Sequence, residues 1–440
     1  MQSMKHVHGA PFGQIALQCS GLKAPRDEAG PTSRALPCQL AQPYCSRSPF
    51  SGQGAASVAG VAYPGQQSGR RLLDASTAPL SPAARETLLV ALDEGWADPR
   101  RLHAEGRRTR ALLDGAREAV AAVLGARADE VSFAPSATLA RQLGLRGLLR
   151  GRRRAGSHLV LSAVEHSSLL HTAQWHDGSS TLVGVDRSGR VDLAAFAAAL
   201  ALPGTAVACL QAANAEVGTR QPVGLAYDLC GQVPLLVDAS AVVGRDDVPP
   251  TWDVLTADGR SWAGPGIGVL AVRTGVRWRS DGPADEAEQG RVPGEVDVPS
   301  VLAAAAGLLD AAAKRERRAA LARRLVDRLR AAAAAVPDTE VVGDPVDRLP
   351  HVVTFSSLFV DGEALVDALD RRGIAVASGS ACTASTLAPS HVLAAMGVLT
   401  HGNVRVTLPL EPNEDDVAAL CAALPEVVAD VRAMLGADRL

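Results

Sequence analysis

Lysine is almost absent from this chain of 440 residues. Lys5, Lys23 and Lys314 are the only three, and every other base among the 44 Lys and Arg is arginine. Chemistry that needs a neutral amine therefore has three candidates, because a guanidinium keeps its charge at every physiological pH. No apolar run reaches the roughly 18–20 residues that a membrane-spanning helix needs, so the sequence reads as a soluble protein with no membrane partner. Near the N-terminus, Ile15-Ala16-Leu17 is bracketed by Gln14 and Gln18, too weak for a secretory signal. The seven cysteines (Cys19, Cys38, Cys45, Cys209, Cys230, Cys382 and Cys421) contain no CxxC pair. Neither a disulfide framework nor a metal site follows from that spacing, and a reducing cytoplasm is the simplest location. A net charge of −3 gives no electrostatic reason to expect a nucleic acid partner.

What is present is enough apolar residue, 47%, to bury a large core, and length for two or more domains. Residues 1–70 are rich in Gly, Pro, Ser and Gln without periodicity and read as a disordered extension. Order begins at Arg71-Leu72-Leu73-Asp74. Ser81-Pro82 then opens a helix to about Glu94, serine capping the free N–H groups and proline taking the first helical position. A second helix is expected from about Leu102 to Leu124, followed by a strand at 131–134 and a further helix opened by Ser136-Ala137-Thr138. Apolar runs at 158–161, 181–184, 206–209, 235–237 and 267–270 alternate with helical stretches. Such alternation predicts an α/β fold with a mostly parallel sheet covered on both faces. After Pro299 one long Ala/Leu/Arg helix is expected to about Ala335, then a strand at 351–355, a helix at 363–372 and a closing helical region from Pro412. The division expected is a large domain over 71–298, its first segment crossing over, and a smaller C-terminal α/β domain over 299–440.

The most specific segment is Ala377-Ser378-Gly379-Ser380-Ala381-Cys382-Thr383, leading to Pro389-Ser390-His391. Small neighbours let a thiol move and be approached, and the thiolate is the nucleophile in such chemistry.

This loop resembles the mobile cysteine loop of the cysteine desulfurases, in the class V aminotransferase superfamily of pyridoxal-phosphate enzymes (fold type I). Other stretches resemble that family in the same order. Asp98-Pro99 with Leu102-His103 resembles its Asn-Pro-Ser-Ser-x-His stretch, and Ser136-Ala137-Thr138 its phosphate-binding Gly-Ala-Thr turn. Glu165-His166 is similar to the pair whose imidazole stacks on the pyridine ring. Asp238 stands where an aspartate meets the pyridine nitrogen, and Arg405 where an arginine forks onto the substrate carboxylate. The resemblance implies a large domain with a seven-stranded sheet, a smaller C-terminal domain and a homodimer. It implies cofactor contacts from Ala137, Thr138, His166 and Asp238, substrate binding by Arg405, and a persulfide on Cys382.

The pattern breaks on the cofactor side. Counting back from Gly266-Ile267-Gly268, the family's Ser-Gly-His-Lys tetrad reads Ala257-Asp258-Gly259-Arg260, so Arg260 stands at the Schiff-base lysine position. An imine needs a neutral amine, which arginine does not supply. The family's ring-side asparagine falls at Ala215, with Asn214 one residue away, and its glutamine at Ala241. The threonine it takes from the partner subunit falls at Glu295, whose carboxylate would repel a phosphate. The sequence thus reads foremost as a desulfurase-like protein unable to run pyridoxal chemistry. Covalent pyridoxal phosphate is not expected, and Cys382 accepts or relays persulfide sulfur, with a sulfur-transfer protein as partner. Two alternatives stay open: an active cysteine desulfurase or class V aminotransferase that converts cysteine to alanine and enzyme-bound sulfur, and a non-enzymatic dimeric scaffold. Arg260 itself is also a candidate to hold an anion.

Overall fold

Every apolar run named above becomes a strand, with its ends shifted by no more than two residues. The computed structural model describes residues 70–283, 285–378 and 389–436. The N-terminal extension and the Cys382 segment therefore lie outside the described residues.

The described chain opens with β1 (Arg71–Leu72), which pairs in parallel with the distant β11 (Ile374–Ala375). Seven strands then build one sheet. They are β2 (Val131–Ala134), β3 (His158–Ser162), β4 (Ser180–Val183), β5 (Thr205–Cys209), β6 (Leu235–Asp238), β7 (Val254–Asp258) and β8 (Gly268–Val272). Their spatial order is β2-β8-β7-β6-β5-β3-β4. All neighbours run parallel except β8, which is antiparallel to both β2 and β7. Strands β3, β5 and β6 are buried along their whole length, which accounts for their continuous apolar runs in place of alternation. Strand β9 (Thr339–Val342), β10 (Val352–Ser357) and β12 (Asn403–Thr407) form a separate antiparallel sheet, with β10 in the middle.

Helix α1 (Pro82–Glu94) starts as its sequence dictates, the Ser81 hydroxyl accepting from the Ala84 N–H. Helix α2 (Ala104–Leu124) follows, and α3 (Ala137–Arg152) lies along the large sheet. Helices α4 (Ser167–Trp175), α5 (Leu193–Leu200) and α6 (Val223–Cys230) are the crossovers between parallel strands. The single long helix expected up to residue 335 is in fact two, α7 (Val298–Ala313) and α8 (Arg315–Ala334). Helicity breaks at Lys314, whose ψ of 4° is outside the helical range. The two halves serve different cores. Val301, Leu302 and Leu308 of α7 pack with the large sheet, and Leu325, Val326 and Leu329 of α8 pack with β10 and β12. Helices α9 (Gly362–Arg371), α10 (His391–Met396) and α11 (Glu414–Met434) complete the chain. No helix among the described residues is long and apolar enough to cross a membrane.

Glycines set how closely α3 approaches its neighbours. Gly144, Gly147 and Gly151 share one face. A Cβ would fall 3.1 Å from the Leu236 side chain at Gly144, 2.0 Å from the Trp278 ring at Gly147, and 1.8 Å from the Arg277 carbonyl at Gly151. The start of α3 is gauged in the same way, since a Cβ on Gly268 would sit 2.2 Å from the Ser136 carbonyl oxygen. That obstacle is backbone and cannot rotate away. Gly268→Ala is expected to lower stability by roughly 1–3 kcal/mol, the usual cost of overpacking, read from the urea midpoint.

Candidate functional site

Parallel strands direct their C-terminal ends to one edge of the sheet, and the loops leaving that edge are where an α/β protein places its chemistry. Asp238 ends β6, Glu165 and His166 follow β3, Gln211 and Asn214 follow β5, and Arg260 follows β7. Helix α3 starts at the same edge. Its first turn has backbone N–H groups without intrahelical acceptors, of which the Ser136 hydroxyl takes the one on Leu139. Ala137 is buried there and Thr138 exposed.

Asp238 is buried, and its carboxylate is fully engaged. One oxygen accepts from Arg141 Nε at 2.7 Å, the other from the Ser240 hydroxyl at 2.6 Å, the Ser240 N–H at 3.2 Å and the Thr256 hydroxyl at 3.2 Å. The Arg141 guanidinium also donates to the Ser240 hydroxyl at 2.8 Å, closing a triangle in which both charged residues are about 95% buried. Burial alone would lift the Asp238 carboxyl. The Arg141 charge, His166 and these donors override it and hold it below the usual carboxylate range.

His166 lies beside this pair. Its Nδ1 accepts from the Ser168 N–H at 3.1 Å, so the neutral ring carries its proton on Nε2. Burial, reinforced by Arg141, lowers it to about 4. Glu165 is fully buried. One oxygen accepts from the Gln211 N–H at 2.7 Å and the other has no partner among the described residues. Burial lifts its carboxyl to about 8, against the Gln211 hydrogen bond, so it is protonated at neutral pH.

Asn214 is not free to serve a ligand. Its carbonyl oxygen accepts from the Glu216 and Val217 N–H groups, and its amide donates to the Val164 carbonyl. Glu295 does not stand as an isolated charge, because Arg100 pairs with it at 2.8 Å. Arg260 is exposed. Its backbone N–H is capped by Asp258, and its guanidinium lies against Gly266, where an added Cβ would come within 2.8 Å of Nε. Lys314, the only lysine among the described residues, is on the surface in an ion pair with Asp310.

Arg405 is buried in β12. Its backbone exchanges two hydrogen bonds with Ala377, which tethers the strand end leading toward the Cys382 segment. Its guanidinium is held loosely, 3.5 Å from the Ser76 hydroxyl and 3.9 Å from Asp74, and its Nε has no partner among the described residues. Glu216 is a neighbour the sequence did not single out. Burial raises it to about 7, against a hydrogen bond with Ser390 and the charge of Arg405. The start of α10 docks here too, His391 Nε2 lying 3.0 Å from the Glu165 carbonyl oxygen.

The structure thus gathers Ala137, His166 and Asp238 at one sheet edge and joins Asp238 to Arg141. The sequence offers one signal for that partner. Arg141 lies one turn into a helix on the same face as buried Ala137, where a base must find an acid.

Comparisons with known proteins agree with this architecture. The pattern of the family Aminotransferase class-V matches residues 71–281 and 294–420. A cysteine desulfurase, IscS 1, of Archaeoglobus fulgidus is 31% identical over 371 residues, covering 82% of this chain and 97% of that protein. A cysteine desulfurase of Cereibacter sphaeroides is 33% identical over 382 residues, covering 82% of this chain and 95% of its own length. Among solved structures, a NifS-like protein superposes with a TM-score of 0.76 at 24% identity over 82% of this chain and 100% of its own, a likeness of fold. That family depends on pyridoxal phosphate. With its match spanning most of the chain, this protein belongs to the class V aminotransferase family, among relatives that are cysteine desulfurases.

Proposed function

We propose that this chain is a desulfurase-fold protein that does not run pyridoxal chemistry in its own pocket and instead receives or relays sulfur at Cys382. The buried Arg141–Asp238 pair carries this reading. In the family that aspartate meets the pyridine nitrogen, but here four donors already fill its oxygens. The ring nitrogen would have to displace a buried guanidinium, leaving an unpaired charge at a cost of several kcal/mol. Arg260 supplies no neutral amine, and Lys314 is tied to Asp310 on the surface. The residues present do not fit the cofactor. In the relay, the Cys382 thiolate attacks the outer sulfur of a donor persulfide. The S–S bond breaks, the donor leaves as a thiolate, and no oxidant is consumed. A reducing cytoplasm, which keeps Cys382 a thiol, is the compartment this reading needs.

The relatives, taken by themselves, favour the second reading, an active cysteine desulfurase, since those at 31% and 33% identity carry that name. The loosely held Arg405, fit to receive a carboxylate, agrees with it. One experiment separates the two. Purified full-length protein incubated with pyridoxal phosphate and dialysed is expected to be colourless, with no adduct fixed by borohydride in the intact mass. A visible band that borohydride bleaches, with a pyridoxyl adduct on any residue, would establish the second reading. The relay itself is tested by incubation with an active desulfurase and cysteine, where a persulfide on Cys382 is expected by mass spectrometry.

A homodimer belongs to the same proposal. Leu89, Val90 and Leu92 on α1, with Trp96 and Leu102 after it, are each at least half exposed and offer an apolar surface for a second copy. Sedimentation at micromolar concentration is expected to give twice the chain mass. A scaffold role without sulfur transfer would be favoured if Cys382→Ser left the cellular phenotype intact.

A further inference from the structure

Helix α3 runs about 24 Å from the site just described, at 1.5 Å per residue, and ends in Arg150, Arg152, Arg153 and Arg154 around a turn. The glycine contacts at Gly147 and Gly151 press the segment after β8 against that end, so Arg277 and Arg279 face the same space. The result is a cleft of about 490 Å³ lined by these six arginines, Trp278 and backbone. Five of the six are exposed and Arg152 is half-buried; among the described residues none of them makes an ion pair, in a chain where 47 acids outnumber 44 bases. Two acids lie near this end, and each has another partner. Asp281 is held by Arg146 at 2.5 Å, and Asp253 accepts from the Leu235 N–H, acting on Arg152 only through space. Arg152 Nε is buried without a partner. Favourable interaction with the helix C-terminus accounts for Arg150 and Arg152, but not for two further cations brought in from another element.

We propose that this cleft binds a compact polyphosphate: inorganic tripolyphosphate or the phosphate tail of a nucleotide. Six convergent guanidinium groups supply forked donors matched to phosphate oxygens, and the volume is that of a small-molecule site. The Trp278 ring packs on Gly147 and its indole N–H donates to the Leu143 carbonyl, so the arginines supply the free side-chain donors of the cleft. Recognition rests on charge density, which argues for a short, highly charged ligand over a nucleic acid strand.

The test is calorimetric titration of the full chain with tripolyphosphate, ATP and sodium sulfate at physiological ionic strength. Saturable 1:1 binding of tripolyphosphate per chain is expected, at least about tenfold tighter than sulfate, and weakened at least about tenfold in Arg153→Gln/Arg279→Gln. Both substituted residues are exposed, so the fold is expected to hold, and an unchanged urea midpoint verifies it. Equal binding of ATP and tripolyphosphate would make the nucleotide tail sufficient, and tighter tripolyphosphate would assign the free anion. The proposal is overturned by no binding, by affinity equal to that for sulfate, by a double variant that binds unchanged, or by a 20-nucleotide strand outcompeting tripolyphosphate at equal phosphate concentration.

Discussion

Arg141→Ala is expected to destabilise the protein by about 3–5 kcal/mol, the range for removing one partner of a buried ion pair. Asp238 would keep its charge with the Ser240 and Thr256 hydrogen bonds but lose its counter-ion in a site about 95% buried. For a domain stable by about 5–15 kcal/mol that loss is a large share of the total. The partner change Asp238→Asn strands the Arg141 cation and is expected to cost a similar amount. The double variant Arg141→Leu/Asp238→Asn removes both charges and is expected to recover most of the stability, giving a coupling energy of several kcal/mol in a urea-denaturation cycle. A cost under about 1 kcal/mol for Arg141→Ala would mean that Asp238 does not depend on this arginine, and would reopen the place for a ring nitrogen.

The largest pH effect is expected from Glu165. Its carboxyl titrates near 8 in the folded state against an ordinary value of 4.5 in the unfolded chain. Between those values the folded form holds a proton that the unfolded form has released. Stability is therefore fully present below about 4.5 and declines as pH rises to 8, by roughly 1.4 kcal/mol per unit and about 5 kcal/mol in all. Glu216, raised to about 7, adds a smaller decline of the same sign. Asp238 acts oppositely, since its depressed pKa contributes stability that is lost only as pH falls below the ordinary carboxylate range. His166, lowered to about 4, and His351, also lowered by burial, work against this decline below their ordinary value of 6.5, so urea midpoints are expected to be clearly lower at pH 8 than at pH 6.5. Glu165→Gln is expected to flatten most of that slope and to be more stable than the parent at pH 8. A parent protein equally stable at pH 6.5 and pH 8 would mean that Glu165 is not buried as a neutral acid.

Much of this fold is legible in the sequence because its central strands are buried on both faces. The runs at 158–161 and 206–209 carry no polar interruption, and the Ser81-Pro82 cap states where a helix begins. Strand β7 is harder to see, since Thr256 and Asp258 interrupt its apolar character while its neighbours satisfy it in the sheet. The break at Lys314 is invisible to periodicity because both sides of it are equally helical, and only the demand of two separate cores divides them. At the site, Asp238, His166 and Arg260 are found from their neighbours in the chain. The engagement of Asp238 by Arg141, 97 residues away, is not. Charge behaves alike: a net value of −3 conceals six arginines collected on one face.

The bare face of α3 makes that helix a stiff strut with no slack beneath it. A side chain at Gly151 would run into the Arg277 backbone and one at Gly147 into the Trp278 ring, so the helix has to shift to admit the first and the ring or the helix to admit the second. One such change would disturb its two tips together, the Asp238 partner at one and the arginine-lined hollow at the other. Both regions share one helix, so a shift of its axis reaches each of them.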